Sequence, residues 1–254
     1  MTDQSPAQQS LDLLTIPATG YAAYWLSMKR LVDKRRTPDA LAQELQYAAE
    51  PYTRLLLQAA SSTLEEELLR RMAHAKGRAL TRDWGRKLVL IRQTASAVAV
   101  AENPGKTLIT LAGAFGAPVV DETRTMEQAQ GLVETMKAGN LDLAVFPDVS
   151  HATRPDELIL KLLFFALWAR RHGKTGLAAF LPGAGFHYLS GALRLCIDGL
   201  DEPFIRRRLD AQARELLADA RHKMRLGLEL ALAIRAKRPY DDVLALARSF
   251  LLDL

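Results

Sequence analysis

The sequence predicts an all-α protein. Hydrophobic residues make up 49% of the 254-residue chain and charged residues 25%, which is the balance of a globular protein with a buried core. Leu, Ala and Arg dominate the composition, and all three favour helices. Apolar residues recur three and four positions apart through most of the chain, which is the spacing of an amphipathic helix.

Four segments divide the chain. Residues 1–16 have the polar composition of a flexible N-terminal tail. Residues 17–105 form a first helical repeat, and residues 151–254 form a second. Residues 106–150 are a connector that contains a short helix.

The first repeat opens with a helix that Pro17 can start. Its apolar face consists of residues at positions i, i+4, i+7 and i+11, namely Tyr21, Trp25, Met28 and Val32. Thr37-Pro38-Asp39 is a second start signal, with Thr as the N-cap and Pro at the first helical position. Pro51 restarts a helix, which the run of small hydroxyl residues at 61–63 ends.

A long helix is predicted near residues 64–101. Thr63 and Glu66 have the spacing of a capping box, and Asn103-Pro104-Gly105 is a stop signal. The following stretch, 106–122, is the least helical by pattern and fits a strand, a buried loop or a short helix. The connector helix is predicted at 127–137.

The second repeat begins with a similar start signal. Thr153-Arg154-Pro155-Asp156 opens a strongly apolar helix that runs through Arg171 and ends at Gly173. A Gly-rich loop is predicted at 173–191, followed by a short helix at 192–197.

A second long helix is predicted near residues 203–237, where Pro239 stops it. A final amphipathic helix follows at 241–252. We therefore expect two long helices, each the longest element of one repeat.

The two repeats suggest a tandem duplication of one helical unit. Thr37-Pro38-Asp39-Ala40-Leu41 is similar to Arg154-Pro155-Asp156-Glu157-Leu158. The segment Leu64–Arg71 is similar to Leu200–Arg207, and the residue numbers of these two segments differ by 200 − 64 = 136. The long helices stop at Pro104 and Pro239, a shift of 239 − 104 = 135. Chance similarity between helical sequences is the alternative explanation.

Several classes of protein are disfavoured by the sequence. The single cysteine, Cys196, excludes an internal disulfide, and its apolar neighbours predict a buried, inert thiol. The N-terminal residues lack the pattern of a signal peptide, and the apolar windows are shorter than a membrane span. We therefore expect a soluble cytoplasmic protein, with peripheral association to an inner-membrane complex as a further expectation.

No catalytic, cofactor-binding or metal-binding residue is predicted. The five histidines show no metal-ligand spacing, and the glycines of Gly113-Ala114-Phe115-Gly116 lack the nucleotide-loop patterns. An enzymatic alternative rests only on the Gly-rich loop 173–191, which contains His187 and Tyr188.

The second repeat also resembles a known family. Its segments occur in a fixed order, namely Arg154-Pro155-Asp156-Glu157-Leu158-Ile159, Ala169-Arg170-Arg171-His172-Gly173, Ala192-Leu193-Arg194-Leu195-Cys196-Ile197-Asp198-Gly199-Leu200-Asp201 and Ile205-Arg206. In that order and spacing they resemble the cytoplasmic region of flagellar stator subunits of the MotA/PomA type, over about residues 153–235. The first repeat shares this resemblance only through the internal repeat.

The sequence departs from that family in two respects. Asp241, Asp242 and Arg248 follow Pro239, where stator subunits have an apolar, Gly-rich membrane span, so no ion path is implied. The family's charged residues for the rotor protein FliG correspond to Arg170 and to Ala178, so only half of that charge pattern is present.

The sequence favours a non-enzymatic interaction or scaffold protein in a flagellar-motor, secretion or similar envelope-associated assembly. The predicted partner-binding residues are Arg170, Arg171 and His172 at the end of one helix, together with Arg206 and Arg207. The alternative is a basic helical nucleic-acid-binding protein, because the chain has a net charge of +5 and several arginine clusters. Oligomerisation is compatible with either function.

Overall fold

The computed structural model describes residues 11–35, 41, 44–150 and 152–252, so the predicted start signal at Thr37-Pro38-Asp39 lies outside the described residues. The described residues are predominantly helical, and none of them lies in a β-strand. The all-α fold class is confirmed. In chain order the elements are α1 (Ala18–Arg35), α2 (Pro51–Ala60), α3 (Glu66–Ala99), α4 (Pro104–Ala112), α5 (Glu122–Lys137), α6 (Pro155–His172), a 3₁₀ helix (Lys174–Phe180), α7 (His187–Ile197), α8 (Glu202–Arg235) and α9 (Tyr240–Ser249).

Helices α3 and α8 are the long elements of the fold. Each contains 34 residues, and the residue numbers at which they begin differ by 202 − 66 = 136. They fall on the regions near 64–101 and 203–237 where the sequence predicts long helices. Among the described helices, none is at once long and apolar enough to cross a bilayer.

The described chain divides into two compact units. Unit 1 contains the chain up to Arg82 and the chain from Leu216 onward, and unit 2 contains Asp83–Glu215. The division falls inside α3 and inside α8. Each unit therefore takes helices from both predicted repeats, whereas the repeats themselves are consecutive stretches of sequence.

The core of unit 1 forms around α1. This helix packs against α9, and its Tyr21 and Trp25 side chains are fully buried. The Tyr21 hydroxyl shares a 3.0 Å hydrogen bond with the Thr53 hydroxyl of α2. An ion pair between Arg70 of α3 and Glu229 of α8 joins the two long helices in this unit, with an Nη1–Oε1 distance of 2.6 Å.

The core of unit 2 forms around α6, which packs against α4, α5 and the 3₁₀ helix. Residues on both faces of α6 are buried, which accounts for its continuous apolar sequence. Its aromatic side chains form an edge-to-face cluster with rings from the neighbouring segments, namely Phe146, Phe164, Phe165, Trp168 and Phe180.

Two predicted boundaries need correction. Helix α5 begins at Glu122 rather than at residue 127, because the Asp121 carboxylate accepts a 2.8 Å hydrogen bond from the Arg124 amide and caps the helix. The predicted loop 173–191 is largely helical, since the 3₁₀ helix occupies Lys174–Phe180 and α7 begins at His187. Within 106–122, the short-helix alternative is correct for the part that belongs to α4.

Candidate anion-binding cleft

The predicted partner-binding corner at the end of α6 is held by neighbours within unit 2. Arg170 donates a 3.2 Å hydrogen bond to the Glu102 carbonyl, and Arg171 pairs with Glu134 of α5 at 2.7 Å. The pKa of Glu134 is lowered by its hydrogen bonds from Lys137 and Arg171. The two guanidiniums therefore fasten neighbouring elements to α6 in addition to facing solvent.

His172 completes the last turn of α6. Its ring stacks on the indole of Trp168, with 4.0 Å between ring centroids and 27° between ring planes. Arg170, Arg171 and His172 thus share one helix end, as predicted, but each of them already has an intramolecular contact.

Arg206 and Arg207 lie near the start of α8, away from that helix end in the sequence. Both side chains are exposed. Arg206 is 3.7 Å from the Glu202 carboxylate one turn earlier, whereas Arg207 forms no ion pair with a described residue. Of the predicted binding residues, Arg207 is the one whose guanidinium is free for a partner within the described part of the chain.

The two residues singled out for the enzymatic alternative, His187 and Tyr188, belong to a helix. His187 and Tyr188 begin α7, and Tyr188 is buried with its hydroxyl donating to the Leu209 carbonyl at 3.2 Å. Cys196, on the same helix, is 1% exposed and its thiol lies 3.5 Å from the Ala95 carbonyl. Tyr188 and Cys196 therefore belong to the core of unit 2, whereas the His187 side chain is exposed.

A cleft of about 490 Å³ lies within unit 1, and sequence reasoning did not identify it. Helices α2, α3 and α8 supply its walls. Its lining residues are Tyr52, Ala73, His74, Gly77, Arg78, Thr81, Ala218, Arg221, Met224, Arg225 and Leu228. We call this feature the anion cleft, for the charges described below.

The floor of the anion cleft is apolar. Tyr52 is fixed at the start of α2, where the buried Glu50 carboxylate accepts hydrogen bonds from the amides of Tyr52 and Thr53. The Tyr52 hydroxyl donates to the Met224 carbonyl at 3.3 Å, and burial raises the pKa of this phenol above its usual range. The phenol is therefore a neutral donor, and its ring is packed into the wall of the cleft with only 2% of the residue exposed.

Gly77 allows close packing at this floor. A Cβ atom at this position would lie 3.2 Å from the Met224 sulfur and 3.5 Å from a ring carbon of Tyr52. Thr81, one turn later, turns its hydroxyl back to the Gly77 carbonyl at 2.8 Å. The missing side chain therefore lets α3 approach α2 and α8 closely at this point.

The rim of the anion cleft is cationic. Arg221 and Arg225 are one turn apart on α8, and His74 and Arg78 are one turn apart on α3, so each pair shares a helix face. All four side chains are exposed, and none of the described residues that line the cleft carries a carboxylate. None of the three arginines forms an ion pair with a described residue, and like charges one turn apart cost about 0.2–0.5 kcal/mol in a helix.

Nearby acidic residues are engaged elsewhere. Glu229 pairs with Arg70, and Asp219 pairs with Lys223 at 2.6 Å. A second cleft of about 340 Å³ in unit 1 is lined by this Arg70–Glu229 pair, so its main charges are already neutralised. Among the described residues of unit 1, the anion cleft therefore combines arginines that form no ion pair with an apolar concavity.

Part of the pattern that marks the anion cleft is present in the sequence. The i, i+4 spacing of Arg221 and Arg225, like that of His74 and Arg78, is visible without a structure. Runs of adjacent arginines are the more conspicuous pattern in the sequence, but neighbouring residues point to different faces of a helix. The two helix faces belong to segments that are far apart in the chain. Neither segment alone indicates that the two faces meet.

No cluster of potential metal ligands occurs among the residues that the structure describes. Comparison of the chain with protein-family models, curated proteins and solved structures gives no match.

Proposed function

We propose that the protein is a non-enzymatic helical binding protein that recognises an acidic segment of a partner protein through the anion cleft. The observation that carries the proposal is the set of three guanidiniums, Arg78, Arg221 and Arg225, which line one partly apolar cleft and form no ion pair with any residue that the structure describes. Guanidiniums bind oxyanions through paired N–H donors, and arginine is enriched at interface hot spots. An acidic segment with an apolar side chain complements both parts of the cleft.

The wider role that we propose is that of a scaffold in an envelope-associated assembly, such as a flagellar motor or a secretion complex. The support is the resemblance of residues 153–235 to the cytoplasmic region of MotA/PomA-type stator subunits. Those residues contain α6, α7 and α8. A cytoplasmic location and peripheral contact with an inner-membrane complex belong to the same proposal.

We also infer that the fold arose by tandem duplication of one helical unit. Helices α1 and α6 both contain 18 residues, and α3 and α8 both contain 34. A buried lysine paired with an aspartate four residues earlier occurs in each long helix, as Lys87 with Asp83 and Lys223 with Asp219. The residue numbers of these lysines differ by 223 − 87 = 136, the same shift as the helix starts.

Nucleic-acid binding is the second candidate function. The net charge of +5 and the exposed arginines of α8 favour it. The two functions differ in their charge requirement. Binding to the phosphate backbone depends on total positive charge and falls steeply with salt, whereas recognition at the anion cleft depends on particular arginines.

Paired charge reversals test the proposal. Arg221→Glu with Arg225→Glu changes the cleft, and Arg208→Glu with Arg214→Glu changes exposed arginines of the same helix that are not predicted to bind a partner; both lower the net charge from +5 to +1. Calorimetric titration would use a short capped peptide of glutamates around a central leucine, with a glutamine version as the peptide control. We expect the cleft variant to lose at least about tenfold in affinity, because charged hydrogen bonds are each worth about 1.5–3 kcal/mol, and the α8 control to bind normally.

A third variant separates the cleft from the partner-binding corner predicted by sequence. If Arg170→Glu with Arg171→Glu abolishes peptide binding while the cleft variant retains it, the binding surface is the end of α6. If both α8 variants weaken binding of a single-stranded oligonucleotide equally and the peptide does not bind at all, nucleic-acid binding is the better account.

A further inference from the structure

We infer that the outer face of α3 in unit 1 is a self-association surface, on which a second copy of the chain binds in antiparallel orientation. The surface is a row of exposed apolar side chains, which we call the apolar stripe: Leu64, Leu68, Met72, Ala75 and Ala79. This inference goes beyond the proposed function, because no residue of the apolar stripe is among the described residues that line the anion cleft.

The core of unit 1 does not account for the apolar stripe. Leu69 and Ala73 form the inner row of α3 and are 2% and 1% exposed, whereas Leu64, Leu68 and Met72 are 39%, 41% and 37% exposed. These three are a third of the nine large hydrophobic side chains exposed among the described residues. Single exposed apolar residues are ordinary, but a contiguous group of them marks an interaction surface.

The spacing of the apolar stripe indicates a helical partner. Its successive residues lie four, four, three and four positions apart. Two helices that pack side by side use a similar alternation of three and four, since it keeps one seam of side chains facing the partner along the helix. The element that covers the stripe is therefore expected to be a helix with a matching seam.

The two halves of the apolar stripe differ in side-chain size. The first half carries leucine and methionine, and the second half carries Ala75 and Ala79. In an antiparallel pair centred between Met72 and Ala75, Met72 lies opposite the partner's Ala75, and Leu68 lies opposite the partner's Ala79. Large side chains then meet small ones, which lets the two seams interdigitate, whereas a parallel pair would place alanine opposite alanine.

The two ends of the apolar stripe carry opposite charges. Glu65 and Arg82 are exposed, and neither forms an ion pair with a described residue. The two glutamates that follow Glu65 are already paired with arginines one turn later. The register that matches the side-chain sizes also places Glu65 opposite the partner's Arg82, once at each end of the pair. A parallel pair would instead bring like charges together.

The apolar stripe is thus complementary to itself, in size and in charge, when the second copy runs antiparallel. A two-fold dimer uses the same patch on both subunits, and such dimers are the commonest symmetric assemblies of soluble proteins. A second copy of this chain is therefore the occupant that the observations favour over an unrelated helix.

Sedimentation analysis of the full chain at increasing protein concentration tests the surface. We expect a monomer–dimer equilibrium that Leu68→Gln with Met72→Gln weakens at least about tenfold, which corresponds to about 1.4 kcal/mol. Ile109→Gln with Val145→Gln is the matched control, because it removes two exposed apolar side chains of unit 2 and should dimerise like the unchanged protein. Thermal melts establish that both variants remain folded.

Exchange of charges tests the antiparallel orientation without touching an apolar residue. Arg82→Glu should weaken the dimer by about fivefold, since each exposed ion pair contributes little and the interface contains two. Adding Glu65→Arg to this variant should restore dimerisation, because each ion pair is rebuilt in reverse. Indifference of the dimer to both changes would overturn the antiparallel register.

The remaining outcomes are equally decisive. A chain that stays monomeric at every concentration, or a dimer that Leu68→Gln with Met72→Gln leaves intact, overturns the inference. A monomer that binds phosphatidylserine vesicles through the apolar stripe assigns the stripe to lipid and overturns it too. Arg221→Glu with Arg225→Glu should retain the dimer, so failure of the anion cleft and failure of the apolar stripe are told apart.

Discussion

Ala101 and Lys237 adopt the same left-handed backbone conformation, with φ values of 50° and 53°, and their residue numbers differ by 237 − 101 = 136. Each follows the end of a long helix. The Glu102 amide donates to the Ala97 carbonyl at 2.8 Å, and the Arg238 amide donates to the Ala233 carbonyl at 3.1 Å. Both helices therefore close with a Schellman motif that ordinarily places glycine at the left-handed position.

Replacing Ala101 with glycine should stabilise the protein. A side chain is disfavoured in the left-handed region, and we expect Ala101→Gly to raise the free energy of unfolding by about 0.5–1 kcal/mol. The matched control is Ala99→Gly, two residues earlier and still helical, which should lower it by about 0.5–1 kcal/mol. Thermal melts of both variants check the sign, and destabilisation by both would contradict the cap geometry.

Gly227 of α8 should not tolerate a methyl group. Its Cβ would lie 2.7 Å from the Tyr21 hydroxyl oxygen, and Tyr21 is fully buried. We expect Gly227→Ala to lower the free energy of unfolding by about 1–3 kcal/mol through overpacking, despite the better helix propensity of alanine. Urea denaturation measures the change, with Gly131→Ala as a control that should be neutral or stabilising; equal effects of the two substitutions would disprove the close contact.

Lys223 should be a structural lysine of unit 1. It is 1% exposed, and its ammonium donates to the Ile16 carbonyl at 2.7 Å while pairing with Asp219. Substitution by methionine keeps the volume but leaves that carbonyl without its donor, at a cost of about 1–3 kcal/mol. Lys76→Met, at an exposed position of α3, should change stability by less than about 0.5 kcal/mol. Urea denaturation of both variants measures the difference, and equal stabilities would contradict the structural role.

Cys196 should resist thiol reagents in the folded protein. Burial raises the pKa of its thiol to about 12, so the uncharged form prevails below that pH. An ordinary thiol with a pKa of about 8.5 is partly ionised at pH 8, whereas this one is ionised to about one part in ten thousand. Iodoacetamide labelling at pH 8 should be slow in buffer and fast in denaturant. Comparable rates in the two conditions would contradict the buried environment.

Much of the fold can be predicted from the sequence, because the patterns that mark helices and their ends involve residues close together in the chain. Proline and glycine mark the ends of α3 and α6, and the 3.6-residue period identifies the helical segments. Asn103 belongs to the stop signal of one helix and also caps the start of the next. It follows α3, and its side chain accepts a 2.8 Å hydrogen bond from the Gly105 amide to cap α4.

The remaining errors have tertiary causes. The segment 173–191 contains five glycines, which predicts a loop, yet the 3₁₀ helix there buries Leu177 and Phe180 against α6. Packing thus overrides the weak local preference. The anion cleft depends on which faces of α3 and α8 meet in unit 1, and the period of a single helix carries no information on that choice.

The partner-binding corner at the end of α6 illustrates a further limit of prediction from sequence. The sequence indicates that Arg170 and Arg171 stand at a helix end beside Gly173. It does not indicate that Glu134 and the Glu102 carbonyl lie within reach of their guanidiniums. Adjacent arginines therefore predict available donors, while the fold decides how many of these donors are already used.

The most direct test of the central claim is to observe the floor of the anion cleft during binding. Met224 lies at that floor, and Met136 of α5 is a reference in unit 2. With the methionine methyl groups labelled with carbon-13, titration of the glutamate–leucine peptide should shift the Met224 signal and leave the Met136 signal in place. Arg221→Glu with Arg225→Glu should remove the shift. Binding that leaves Met224 unchanged, or that shifts it equally in this variant, would contradict the assignment of the anion cleft as the binding site.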